Sequence, residues 1–193
     1  MSASVGILGG SFDPPHVGHI AMAETARDAL ALDKVLLMPA PHPPHKDERD
    51  LTDWDARVEM ARLAVGGVEG IEVSRHEIDT RGASYTVKML RRYRELYDDE
   101  IYFILGADSL RDLPKWREPQ SILELATIVV FPRDDIAPVL KVQGDASVVV
   151  FEQPVIEVSS SDIREKRRRG ERIASYVPPA VHGYILDHSL YTR

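Results

Sequence analysis

The chain has 193 residues, 44% of them hydrophobic and 28% charged, with 12 glycines and 13 prolines. This ordinary globular composition excludes collagen-like, low-complexity and disordered classes. A formal net charge of −7 argues against non-specific coating of nucleic acid, so an anionic ligand must be held by local groups. The absence of cysteine rules out disulfides, thiolate metal sites and cysteine nucleophiles.

The length predicts one domain over residues 1–193, with a helical C-terminal portion from about residue 162. Met1 leads almost directly into Val5-Gly6-Ile7-Leu8 without a basic region and a longer apolar stretch, so no signal peptide is expected. The apolar window from Ile122 to Phe131 is interrupted by Glu124 and is too short to span a bilayer. A soluble, cytoplasmic protein with no membrane partner is the expectation.

Val5 to Leu8 reads as a first strand and Gly18 to Leu32 as a helix that buries Ile20, Ala23, Ala26 and Leu30, with Glu24, Arg27 and Asp28 toward water. Val35 to Met38 does not alternate and reads as a strand buried on both faces, ended by Pro39 and a proline-rich loop to Lys46. A helix is predicted near 53–65, a strand at 71–73, and a helix at 84–96 with Ser84 able to cap it. Ile101 to Leu105 is the clearest strand. Gly106 and a short helical stretch follow, then a strand at 127–131, one or two strands between Val148 and Val158, and helices near 162–169 and 179–188. This alternation predicts an α/β fold: a doubly wound, mainly parallel sheet that binds ligands at the carboxyl ends of its strands.

Between the first strand and first helix stands Gly9-Gly10-Ser11-Phe12-Asp13-Pro14-Pro15-His16-Val17-Gly18-His19. Backbone amides and the positive end of a helix can face an anion there. Gly9 and Gly10 permit close approach of a ligand to the backbone. His16 and His19, three residues apart, can present imidazoles that donate to phosphate oxygens and, if protonated, oppose charge arising in phosphoryl transfer. Neither the dinucleotide Gly-x-Gly-x-x-Gly pattern nor a P-loop is present.

Near the other end, Val158-Ser159-Ser160-Ser161-Asp162-Ile163-Arg164 sets three hydroxyls before a helix and an arginine on its first turn. Each serine could equally serve as a helix cap. Arg164 can grip phosphate oxygens with two parallel donors.

The first string resembles the signature of the nucleotidyltransferase superfamily, His-x-Gly-His, here His16-Val17-Gly18-His19. The second resembles its Ile-Ser-Ser-Thr-x-Ile-Arg motif, with Val158 and Ser161 replacing Ile and Thr. Pro43-Pro44-His45-Lys46, Arg81-Gly82-Ala83-Ser84-Tyr85-Thr86 and Gly106-Ala107-Asp108-Ser109 with Trp116 occur between them in order. With these the chain, from residue 5 to about 190, resembles the bacterial nicotinate-nucleotide adenylyltransferase family.

That resemblance implies a Rossmann-like nucleotidyltransferase fold and adenylyl transfer from ATP to nicotinate mononucleotide, giving deamido-NAD and pyrophosphate. It implies catalytic roles for His16, His19 and Arg164, and ATP contacts from Gly9, Gly10, Ser11, Phe12, His16, His19, Ser160, Ser161 and Arg164, with Gly106 and Asp108 at the ribose or adenosine. Lys46 would hold the mononucleotide phosphate. Ser84, Tyr85 and Thr86 would line the pyridine pocket and Trp116 would stack on the ring. Mg²⁺ would arrive mainly on ATP, with no protein metal cage. After the 127–131 strand, family members commonly read Arg-Pro-Gly where this chain has Pro132-Arg133-Asp134-Asp135, which leaves Arg133 without an assigned role.

Other readings stay open on the residues alone. His16, His19, His42 and His45 could gather around a transition metal, although no spacing joins the two pairs. A different nucleotidyltransferase of the superfamily, acting on phosphopantetheine or with a cytidylyl donor, would share both phosphate motifs. The run from Arg164 to Arg172 could be a nucleic-acid patch, but Glu165 and Glu171 favour a solvated helix face and no nucleic-acid partner. A nucleotide sensor without chemistry is the remaining class. Homo-oligomer formation is not legible.

Overall fold

The computed structural model describes residues 2–44, 51–74, 82–132, 148–151 and 158–192. Its strands are β1 (Ser4–Gly10), β2 (Lys34–Pro39), β3 (Ile71–Val73), β4 (Glu100–Gly106), β5 (Thr127–Phe131) and β6 (Val148–Val150). The helices are α1 (Val17–Ala29), α2 (Trp54–Val65), α3 (Thr86–Leu96), α4 (Ala107–Asp112), α5 (Pro119–Leu125), α6 (Ser160–Arg168) and α7 (Pro179–Asp187), with a 3₁₀ turn at Leu113–Lys115 after α4.

The six strands form one sheet in the order β3-β2-β1-β4-β5-β6, and all pairs are parallel. Strand order reverses between β1 and β4, and a crevice opens at such a point beyond the carboxyl ends of the strands. Leu8 pairs with both Leu37 and Ile104, so β1 ends at the centre of the crevice.

Side chains alternate across each strand, which is why the continuous apolar runs are needed. Leu8, Val35, Leu37, Ile104 and Val129 join α1, α2, α6 and α7 in one buried layer. Val5, Ile7, Leu36, Phe103, Leu105 and Val130 join α3, α4 and α5 in the other. Gly6 lies where the strand packs tightly: a Cβ would come 2.9 Å from Val35 Cγ2 and 3.0 Å from Leu32 Cδ1.

Differences from the sequence reading are local. In α1, Ile20, Ala23 and Ala26 are buried as expected, while Leu30 is half-buried beyond the helix end. Helix α3 begins at Thr86, with Tyr85 before it and no side-chain cap. The Ser84 hydroxyl instead accepts from the His42 N–H at 3.0 Å. The apolar window from Ile122 to Phe131 divides into the end of α5 and all of β5; the sequence pattern predicts no helix at α5. Of the strands expected between Val148 and Val158, β6 lies at 148–150, and residues 152–157 are outside the described residues.

Candidate active site

Two cavities flank the carboxyl ends of β1 and β4. The first, about 530 Å³, is lined by Gly9, Gly10, Ser11, Phe12, His16, Gly18 and His19 from the first turn, by Gly106, Asp108 and Ser109 after β4, and by Ser159, Ser160 and Ser161 at the start of α6. The second, about 310 Å³, is lined by Ser84, Tyr85, Thr86, Met89, Phe103 and Trp116, together with Pro43, Pro44, Lys115 and Arg117. Gly9, Gly10, Ser11, Leu105 and Ser109 border both. The first turn is therefore the wall the two cavities share.

Neither glycine on that wall is demanded by packing. A Cβ on Gly9 would stand 3.6 Å from Phe103 and one on Gly10 3.4 Å from Phe12, ordinary contact or close to it, while one on Gly106 would meet nothing within 4 Å. Their bareness keeps the ligand side of the wall flat, so a polyphosphate can reach the backbone. Phe12 takes the left-handed conformation (φ 49°), is buried, and packs edge-on against His19 with centroids 4.9 Å apart.

The two histidines cap α1 reciprocally. His16 Nδ1 accepts from the His19 N–H at 3.3 Å and His19 Nδ1 accepts from the His16 N–H at 3.2 Å, a capping box built from imidazoles in place of hydroxyl and carboxylate. The rings stack with centroids 3.5 Å apart and planes 18° from parallel. With Nδ1 of each ring accepting, the proton of the neutral form sits on Nε2. Both rings are thereby fixed as Nε2–H donors at the start of a helix, where an anion is also favoured by the helix dipole.

At α6, Ser159 is the cap residue: its Oγ accepts from the Asp162 N–H at 3.0 Å and donates to the Asp162 carboxylate at 2.6 Å. Ser160 Oγ donates to the Pro14 carbonyl at 2.8 Å. Arg164 donates through Nη1 to the Asp13 carbonyl at 2.8 Å and through Nη2 to Ser161 Oγ at 3.4 Å. Ser160 and Ser161 line the first cavity, and the Arg164 guanidinium joins the Ser161 hydroxyl to the backbone of the first turn. Its buried Nε has no partner among the described residues, and no carboxylate pairs with its charge there.

The second cavity is mainly apolar and aromatic. Half-buried Trp116 meets Phe103 edge-on at 6.5 Å, and the Arg117 guanidinium lies 5.1 Å from the Tyr85 ring centroid. Ser84 is buried and clamps two loops together: its N–H donates to the His42 carbonyl at 2.9 Å while its hydroxyl holds the His42 N–H. Lys46 and Arg133 lie outside the described residues.

Among the described residues no group of three or more His, Asp or Glu could hold a metal ion. His45, the fourth member of the histidine quartet, is outside them. His42 is fastened to Ser84, while His16 and His19 face the first cavity. Asp108 borders that cavity and pairs with Arg111 at 3.2 Å.

Sequence reasoning did not single out Arg117 or Lys115 on the second cavity, nor a buried cluster beneath the first turn. In that cluster Asp13, fully buried, accepts from Tyr191 Oη at 2.6 Å and from the Thr52 N–H at 3.2 Å. The available signal was Arg57, which lies four residues before Ala61 and seven before Ala64, on the apolar stripe of its helix.

Residues 7–166 match the model of the cytidylyltransferase-like family. A protein of Roseiflexus sp. named "Probable nicotinate-nucleotide adenylyltransferase" is 43% identical over 98% of both chains. One of the same name from Thermus thermophilus is 41% identical, covering 97% of this chain and 98% of its own. The chain belongs to the nicotinate-nucleotide adenylyltransferase family. A solved structure of Plasmodium falciparum nicotinic acid mononucleotide adenylyltransferase, complexed with NaAD, shares the fold with a TM-score of 0.80 at 19% identity, over 98% of this chain and 97% of that one. Family membership covers nearly the whole chain, both cavities included. Among the described residues no helix is long and apolar enough to cross a membrane.

Proposed function

We propose that the chain transfers the adenylyl group of ATP to nicotinate mononucleotide, releasing pyrophosphate and forming deamido-NAD. The observation that carries this reading is the shared wall: two cavities of different character meet at Gly9-Gly10-Ser11, which suits a reaction joining two nucleotides through phosphate. Membership of the family supports the same substrates.

In this reading the adenosine occupies the larger cavity, bordered by Gly106 and Asp108. The polyphosphate runs along the first turn toward His16, His19 and the start of α6. The pyridine ring enters the second cavity beside Trp116, and its carboxylate meets the uncapped start of α3 at Tyr85 and Thr86. Lys46 is assigned to the mononucleotide phosphate.

A phosphate oxygen of the mononucleotide attacks the α-phosphorus of ATP. The new O–P bond forms as the bond from that phosphorus to the α,β-bridging oxygen breaks, and pyrophosphate leaves with the electron pair. The attacking oxygen is already anionic, so no enzyme nucleophile and no general base are needed. Catalysis rests on alignment and on neutralising charge in the transition state. The fixed Nε2–H donors of His16 and His19 and the helix-start amides supply hydrogen bonds to that charge, and the Arg164 guanidinium, held at the first turn and Ser161, adds positive charge beside them. Mg²⁺ belongs to the substrate as MgATP. A cation carried on polyphosphate needs few protein ligands. Dependence on ATP fits a cytoplasmic setting.

The test is incubation with Mg²⁺ and ATP or CTP against nicotinate mononucleotide, nicotinamide mononucleotide and phosphopantetheine, followed by product identification. Deamido-NAD and pyrophosphate from the first acceptor with ATP is the expected result. Turnover confined to another pair would replace the assignment.

A further inference from the structure

Arg57 is 1% exposed on the inner face of α2, in a stripe with Val58, Ala61 and Ala64. A guanidinium there is costly unless its donors are met, and an apolar side chain of similar size would ordinarily stabilise the helix better. Four carbonyls meet it. Nη1 donates to Ser11 O at 2.9 Å and Ala40 O at 2.8 Å, Nη2 to Pro41 O at 3.0 Å, and Nε to Thr52 O at 2.9 Å. Among the described residues no ion pair joins it; burial pushes its ionisation down while the nearby Asp13 carboxylate opposes that shift.

These acceptors belong to separate segments. Ser11 is on the wall shared by both cavities, and Ala40 is on the second cavity alone. Thr52 joins the arginine to Asp13, since its carbonyl accepts from Arg57 while its N–H donates to the carboxylate that Tyr191 also holds. One planar fork thus ties the turn of the first cavity to the loop that enters the second. A single ammonium could not span that set of acceptors.

Resting on the adenylyl-transfer reading, we propose that Arg57 is a positioning residue: it sets the spacing between the nucleotide turn at Ser11 and the mononucleotide loop at Ala40–Pro41 that in-line attack requires. Each substrate site is built largely from its own segments, so loss of the fork leaves each substrate bound and misaligns the pair. A displacement of about 1 Å between reacting groups costs on the order of a hundredfold in rate.

The experiment compares Arg57→Lys and Arg57→Met with Val181→Ala, a buried change on α7 that removes core volume without touching the fork. For each, the melting temperature, the calorimetric Kd of a non-hydrolysable ATP analogue and of the mononucleotide separately, and steady-state kcat are measured. Expected for Arg57→Lys are Kd values within about threefold of wild type and kcat lower by about a hundredfold, with Val181→Ala keeping its kcat at a comparable melting temperature. A kcat for Arg57→Lys within about twofold of wild type, or an equal loss in Val181→Ala, overturns the proposal. Should the arginine variants fail to fold, Tyr191→Phe removes one oxygen from the same cluster. It is expected to lower kcat about fivefold at unchanged KM, and an unchanged kcat overturns the proposal. Wild-type protein in the same assay separates the two levels: inactivity there sinks the adenylyl-transfer reading, whereas active wild type with fully active variants sinks this inference alone.

Discussion

The two cavities that meet at Gly9-Gly10-Ser11 are built by different means. The larger is walled by helix starts, small side chains and the two imidazoles; the smaller is walled by Trp116, Tyr85, Phe103 and Met89. The first presents imidazoles, hydroxyls and helix-start amides to oxygen, while the second adds flat aromatic walls to a few donors such as Lys115 and Arg117. Charge handling and substrate choice are thereby divided across one strand end, and each side should fail in its own way.

The largest expected effect falls on the charge-handling side. His19→Ala and His16→Ala each remove an Nε2–H donor and half of the reciprocal cap on α1. Steady-state kinetics should show kcat lower by about a thousandfold, with the fold preserved by circular dichroism. Wild-type turnover in both variants would erase the division.

On the shape side, Trp116→Ala should raise the mononucleotide KM by about thirtyfold while leaving the ATP KM within about twofold, as expected when an aromatic surface worth a couple of kcal/mol is lost from one ligand only. Equal rises for both substrates would remove Trp116 from the mononucleotide cavity. On the shared wall, Gly10→Ala has room to fold, since its Cβ would sit 3.4 Å from the Phe12 ring. It should raise both KM values by about tenfold with little change in melting temperature. A large loss of stability would mean that Gly10 serves the fold.

The smallest effect lies at the rim of the second cavity. Glu118 holds Arg91 at 2.6 Å and approaches Arg117 at 3.5 Å; the Arg91 hydrogen bond is the main cause holding its carboxyl below the ordinary glutamate range. A depressed carboxylate contributes stability that is present above its unfolded pKa and lost as pH falls through the lower folded value. Glu118→Gln should therefore slightly flatten the acid limb of a melting-temperature profile and leave neutral pH almost unchanged. High salt should mimic the substitution, because the pair is exposed.

How much of this was legible in the sequence follows from how local each signal is. The strands of the central sheet announced themselves because burial on both faces demands unbroken apolar runs such as Val35 to Met38. Helix α5 did not, being seven residues long and starting at Pro119 directly after a left-handed Glu118. The onset of α3 moved because the Ser84 hydroxyl is engaged by His42, 42 residues away, a partner that no capping rule sees. At the site, His16 to His19 and Ser159 to Arg164 could be read as anion-facing segments because helix starts are local features. That Arg164 reaches the Asp13 carbonyl, 151 residues away, and that Tyr191 reaches the Asp13 carboxylate across 178, depends on the packing of α6 and α7 on the sheet. Periodicity carries none of that information.

A crystal structure with deamido-NAD bound tests the central claim most directly. Transfer across the shared wall requires the adenine in the 530 Å³ cavity, the pyridine beside Trp116 in the 310 Å³ cavity, and the bridging phosphates against Gly9-Gly10-Ser11 within hydrogen-bonding reach of His16 and His19. A dinucleotide lying wholly in one cavity, or with its phosphates turned away from the imidazoles, would contradict it.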